Sequence, residues 1–479
     1  MKDTIVLYPA VGSGHLMSMV ELGKLILTHH PSFSIQILIL NPPNQNITTN
    51  NNNDSTTQYT TSISSKFPSI NFQFIPSISL TLTLPLHLHT LELSPHCNHH
   101  VHHILQSISK TTNLKGVILD FFNYSASQVI NTLQIPIYFY FTSSASMLSF
   151  FLHFPTFHKN ATKPIKDFDI HTPIELPGLP RLFVDDWPEE AVDPTSPSYQ
   201  MLLECAKSMR ESDGIFVNSF DAIERKVIKA MRDGLCVPDG TTPLIFCIGP
   251  VISALYEKDE NRCMRWLDSQ PSQSVVLLSF GSMGRFSKAQ LNEIAIGLEK
   301  SKQRFLWIVR TKLDLEELSL DELLPKGFLE RTKENGMVVR NWAPQRAILS
   351  HDSVGGFVTH CGWNSILEAI CEGVPMITWP LYAEQKLNRL ILVQEGKIAL
   401  KLNQSTNRFV SGTELGERVM ELMESNKGKE IRDNILKMKI SAKKARMEGG
   451  SSVVDLKRFG DSKGEYDSWN NYHQIPLPF

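Results

Sequence analysis

The 479-residue sequence has no uninterrupted apolar run of about 18 residues, so no membrane-spanning helix is expected. The best candidate, "IPIYFYFTSSASMLSFFLHF", is broken by Thr142, Ser143, Ser144 and Ser146. The N-terminus lacks a basic region followed by a long apolar stretch, which argues against a secretory signal. Paired cysteines are missing too. The seven are odd in number, scattered and without C-x-x-C spacing, which fits reduced thiols in a cytoplasmic protein. Sequons such as Asn123-Tyr-Ser are then expected to stay unmodified. The formal net charge is only -2, so there is no case for nucleic-acid binding or a basic membrane surface. Finally, the Gly12-Ser13-Gly14 turn lacks the third glycine of a dinucleotide loop. Met17 stands in its place, which speaks against a Rossmann oxidoreductase.

What is present is a long, ordinary globular composition, with 42% hydrophobic and 20% charged residues. The length exceeds one core, so two or more domains are expected. Short β-rich runs alternate with helical patterns throughout. "TIVLYP", "FSIQILIL", "GVILD" and "IPIYFYF" read as strands in the first half. "SVVLLSF", "FLWIVR", "MVVR", "GGFVTH" and "PMITW" follow in the second, with helices over 287–301, 364–372 and 385–395. This alternation predicts an α/β protein of two doubly wound parallel-sheet domains. The expected limits are 1–250, a linker at 251–262, 263–452, and an atypical tail at 453–479. Residues 41–66, rich in Asn, Thr and Ser, read as a surface loop without structure of their own.

The chemically capable residues fall just past the ends of predicted strands, where open α/β sheets bind ligands. They are His15, Asp120, Thr142, Ser282, His360, Glu384 and Gln385. His15 opens a helix, whose positive end disfavours imidazolium and suits a general base. Asp120 can orient and stabilise that ring. A packing His and a helix-capping Asp account for the same residues. The turn "THCGWNSILEAI" (359–370) presents free helix amides to an anion, with Gly362 permitting close approach. Asn364 and Ser365 add donors, His360 stands on the approach, and Glu368 can accept from hydroxyls. Ser365-Ile-Leu-Glu368 also fits a capping box, but that leaves His360 and Trp363 unexplained. The stretch "LHLHTLELSPHCNHHVHHIL" carries His87, His89, His96, Cys97, His99, His100, His102 and His103. It matches no zinc spacing and reads as a solvated or acceptor-lining helix face.

From Trp342 to Gln385, "WAPQRAILSHDSVGGFVTHCGWNSILEAICEGVPMITWPLYAEQ" resembles the signature box of the plant family-1 UDP-sugar-dependent glycosyltransferases. "GSGHL", "VILDFF", "YFTS", "ELPGLP", "WLDSQPSQSVVLLSFGS" and "EGGSS" are similar to the same family. The resemblance implies a GT-B fold, with the acceptor on the N-terminal domain and UDP-sugar on the C-terminal one. It implies Trp342 stacking on uracil, with the Ala343 backbone and Gln345 holding its edge and the ribose. Glu368 should bind the ribose hydroxyls, and His360, Asn364, Ser365 and Ser282 the diphosphate. Trp363, Glu384, Gln385 and Thr142 should contact the sugar, with Trp363 as a wall, and a closing Gln points to UDP-glucose. His15 should be the base and Asp120 its partner, in an inverting transfer to a phenolic, flavonoid-type hydroxyl, with C-transfer or another acceptor class under the same donor chemistry as the alternative. No metal or cofactor is implied beyond the donor substrate, and a monomer is expected. A non-catalytic nucleotide-sugar-binding protein would be expected to have lost His15 or Asp120. Members of the family usually close with an amphipathic helix soon after "GGSS". The charged and turn-forming tail here, ending near Pro476 and Pro478, argues against such a helix packing back on the N-terminal domain.

Overall fold

The computed structural model describes residues 1–41, 55–84, 88–253, 262–311, 317–405 and 407–461. His87, residues 254–261 of the expected linker and the tail from 462 lie outside these described residues, as does the Asn-rich stretch 42–54. Two sheets organise the chain. The first comprises β1 (Asp3–Tyr8), β2 (Ser34–Ile39), β3 (Ile70–Phe74), β4 (Asn113–Asp120), β5 (Ile137–Phe141), β6 (Gly214–Val217) and β7 (Leu244–Cys247). Its order is β3-β2-β1-β4-β5-β6-β7. The second comprises β8 (Val275–Ser279), β9 (Arg304–Val309), β10 (Gly336–Arg340), β11 (Val354–Thr359), β12 (Met376–Thr378) and β13 (Ala399–Lys401), in the order β10-β9-β8-β11-β12-β13. Every strand pair in both sheets is parallel.

Parallel sheets buried on both faces need unbroken runs of Val, Ile, Leu and Phe. Such residues predominate, with Tyr138 and Tyr140 in β5 and Ser279 closing β8. All five residues of β5 and of β8 are buried, and each sheet has an apolar cluster on either side. The strand order reverses between β1 and β4 in one sheet and between β8 and β11 in the other. These switch points open a crevice at the carboxyl ends of the strands.

Helices α1 (Ser13–His29), α2 (Ser55–Lys66), α3 (His89–Thr111), α4 (Ala145–Asn160), α5 (Trp363–Glu372), α6 (Gln385–Leu390) and α7 (Ser451–Asp461) frame the site or change the sequence reading. The stretch 41–66 is not wholly a loop, because α2 occupies its end. Thr60 and Ile63, three residues apart, are buried against the first sheet, and that packing overrides the polar composition. The closing helix doubted from the sequence is α7, and it packs on the N-terminal domain. Val453, Leu456 and Phe459 recur at helical spacing and are buried. Phe459 meets Tyr138 edge-on at 5.0 Å and Phe216 at 4.9 Å. Asp455 accepts from the Cys247 amide at 2.8 Å and pairs with Arg232.

Candidate active site

His15 is the third residue of α1, which follows β1. Asp120 ends the neighbouring strand β4, so adjacent strands deliver both groups to one point. Nδ1 of His15 lies 2.7 Å from Oδ2 of Asp120. A carboxylate only accepts, so Nδ1 carries the proton and Nε2 keeps its lone pair. Asp120 is fully buried and its other oxygen accepts from the Phe122 amide at 3.2 Å. It therefore caps the following turn and orients His15 at once. Burial pushes the His15 pKa down, but the Asp120 charge and hydrogen bond outweigh it, with a smaller contribution from Glu384. The net shift is upward. The helix end alone was expected to keep the ring neutral; the buried carboxylate reverses that balance.

The C-terminal domain supplies the second half. Helix α5 starts at Trp363, two residues before the expected cap. Its N-cap is Gly362 and no side chain caps it. Ser365 and Glu368 therefore make no capping box. Instead both accept from Nε2 of Gln345, at 3.0 and 2.7 Å. Burial raises the Glu368 pKa, opposed by the Gln345 bond. The first-turn amides of α5 are left to face the crevice. His360 is buried beside them. Burial pushes its pKa down to about 4, so the ring is neutral, and Nδ1 has no partner. Gly281 and Gly362 pack on this imidazole. A Cβ at Gly281 would stand 2.6 Å from Nε2, and one at Gly362 would also collide with it. Ser282 follows Gly281 and is exposed, its carbonyl accepting from Arg310 at 3.0 Å.

Trp342 presents an indole 59% exposed, whereas Ala343 is buried. Asn341, just before Trp342, and Ala383, just before Glu384, hold the left-handed conformation at φ 67° and 52°. Glu384 accepts from the Ser143 hydroxyl at 2.8 Å, across the crevice. Gln385 is buried, its Oε1 taken by the amides of Leu381 and Tyr382 at 2.8 and 3.0 Å. Thr142 is half-buried and adjoins Ser143. Trp363 does not form an exposed wall. It is 3% exposed, and its indole N–H donates to the Asn218 carbonyl at 2.6 Å. No open indole face is left for a ligand. Asn364 reaches Ser18 of α1 at 3.5 Å.

Ser18, Ser143, Asn218 and Asn388 were not singled out from the sequence. Asn388 donates to the Cys361 carbonyl at 3.0 Å and accepts from Ser144 at 2.9 Å, tying α6 to the 361 turn and to α4. A run of small hydroxyls interrupting "YFYFTSSAS" was the available signal for Ser143 and Ser144. Among the described residues no three His, Cys, Asp or Glu side chains are placed to hold a metal ion, the α3 histidines included. No described helix is long and apolar enough to cross a membrane.

Residues 220–444 match the family described as UDP-glucoronosyl and UDP-glucosyl transferase. The chain is 57% identical to a UDP-glycosyltransferase 1 of Pueraria montana var. lobata, covering 96% of this chain and 98% of the relative. It is 56% identical to an isoflavone 7-O-glucosyltransferase 1 of Glycine max, covering 95% and 98%. Its fold superposes with a TM-score of 0.84 on Phytolacca americana UGT2 complexed with UDP-2fluoro-glucose and pterostilbene, at 36% identity over 96% and 99% of the two chains.

Proposed function

The chain belongs to the UDP-glucoronosyl and UDP-glucosyl transferase family and has its GT-B fold, and on that premise we propose that it moves glucose from UDP-glucose to a phenolic hydroxyl of a flavonoid-type acceptor, with inversion. The observation that carries this reading is the Asn364–Ser18 contact. Ser18 lies one turn beyond His15 on α1, and Asn364 is the second residue of α5. The base and the uncapped helix end are thereby neighbours across the crevice.

In this reading Nε2 of His15 takes the proton of the acceptor hydroxyl as its oxygen bonds to the anomeric carbon. The bond from that carbon to the diphosphate breaks on the opposite face, UDP leaves, and α becomes β. Asp120 stabilises the imidazolium that forms. Charge gathering on the diphosphate meets the free amides of α5, Asn364, Ser365 and Ser282, with His360 packed beside them. Trp342 offers uracil its face, and Gln345 and Glu368 take the ribose. Glu384, Gln385 and Thr142 take the sugar, so Ser143 holds the place of a sugar hydroxyl on Glu384. No metal enters the step. Phe122, with its ring 5.7 Å from His15 and backed by the buried Phe121, gives an aromatic acceptor an apolar contact. Seven unpaired thiols support a cytoplasmic setting.

The test is to incubate the protein with UDP-glucose and a panel of isoflavones, flavonols and chalcones and look for a gain of one hexose by mass. Binding of UDP-glucose with no product from any acceptor would leave only a sugar-nucleotide-binding protein.

A further inference from the structure

The segment Val184–Ala191 plays no part in the chemistry above. It lies within the connection from α4 to the helix Pro197–Arg210 and forms two short helical turns. Trp187 anchors it in the N-terminal core. The indole meets Phe150 at 4.8 Å and Phe157 at 4.9 Å, and its N–H donates to the Ala191 carbonyl at 2.9 Å. Three acids flank this anchor and reach the other domain. Asp186 accepts from Arg389 at 3.0 Å, Asp185 from Lys386 at 2.8 Å, and Glu189 pairs with Arg408.

Lys386 and Arg389 both lie on α6, whose first residue is Gln385 and whose N-cap is Glu384. Helix α6 runs on into a π-helical turn over Ile391–Glu395, and a helical segment this short takes its position from its contacts. The outer pairs are well exposed on at least one side and contribute little. Asp186–Arg389 differs, because both side chains are about nine-tenths buried. A buried pair holds its geometry because losing either partner strands the other charge.

We infer that Asp186, acting through Arg389, is a positioning residue for the sugar half of the donor. The N-terminal domain thereby sets the placement of Glu384 and Gln385, although both belong to the C-terminal domain. The inference rests on the reading that those two residues face the sugar. It separates the two parts of the donor. Asp186 bonds to α6 itself, beside the sugar residues, whereas among the described residues the α5 terminus that meets the diphosphate is linked to α6 only through the Asn388–Cys361 bond.

The experiment compares D186N and Q385A with wild type in the full chain, measuring the Kd for UDP, and KM and kcat for UDP-glucose and UDP-galactose. For D186N, UDP binding stays unchanged while KM for UDP-glucose rises about tenfold, the change expected of closely coupled neighbours. Its preference for UDP-glucose narrows as well. A wild-type KM and preference in D186N overturns the inference, as does a loss of UDP affinity in the same proportion. Q385A checks the underlying reading separately: if it keeps both KM and sugar preference, the assignment of Gln385 to the sugar fails whatever D186N does. Should D186N not fold, R389K keeps the buried positive charge, loses the fork, and is read by the same ratio of UDP-glucose KM to UDP Kd.

Discussion

Trp363 of the C-terminal domain donates its indole N–H to the backbone carbonyl of Asn218 in the N-terminal domain. Asn218 is fully buried and exchanges two further bonds with Val251, at 2.8 and 2.7 Å, where the chain leaves the first domain. One side chain thus couples the turn at the crevice to the start of the connection between the domains.

Replacing Trp363 by Phe keeps most of the apolar burial but leaves the Asn218 carbonyl without its donor. A stranded buried acceptor costs about 1–3 kcal/mol. The urea midpoint of W363F should fall accordingly with an unchanged slope. A midpoint equal to wild type would show that the bond adds nothing across the interface.

Gly362 has an ordinary φ of -65°, so alanine suits its backbone. Its Cβ would nevertheless collide with the buried His360 ring. The ring must move into the space beside the α5 amides, and overpacking of this kind costs about 1–3 kcal/mol. G362A should lose about tenfold in UDP affinity by calorimetry. G240A, where a Cβ makes only an ordinary contact with Val237, should bind UDP as wild type does.

The architecture was readable because buried parallel strands leave unbroken apolar runs, and polar residues at their ends mark the crevice. That logic reached His15 with Asp120, and the reading of the 359–370 turn reached Ser365 with Glu368; Gln345, which bonds to both, came only with the family resemblance. It failed where one pattern masked another. Charges at Asp455, Lys457 and Arg458 hide the spacing of Val453, Leu456 and Phe459, which is why the sequence argues against α7. The run of hydroxyls marks Ser143 but not its pairing with Glu384, and Asn218 with Trp363 and Asp186 with Arg389 leave no local trace. Each pair is far apart in sequence and meets only when the domains do. The resemblance implies Trp363 as a wall, and an aromatic in a ligand turn suggests stacking. Its burial depends on a partner in the other domain that no local pattern reveals.

If helix amides and neutral donors meet the departing diphosphate, a divalent ion is not needed. Transfer to an accepted flavonoid should survive exhaustive chelation with EDTA. Added Mg²⁺ should restore nothing, because nothing is lost. Activity that disappears with chelator and returns with metal would reassign the leaving-group step.

The His15–Asp120 pair makes the sharpest claim. His15 must lose its proton to act as base, and its pKa is raised by the pairing that orients it. Therefore kcat/KM should climb with pH through a midpoint above the ordinary histidine value of about 6.5. The stability the pair contributes runs the other way. It is complete below about 6.5, where an unfolded histidine is also charged, and fades as pH rises through the raised value. In D120N the carboxylate is gone and burial remains, so the midpoint should move down and the maximal rate should fall. H15A should lose transfer by about 10²–10⁴-fold, the usual worth of a positioned base, with UDP affinity intact. Full activity in H15A, or a D120N profile with an unmoved midpoint, would remove His15 from the role of base.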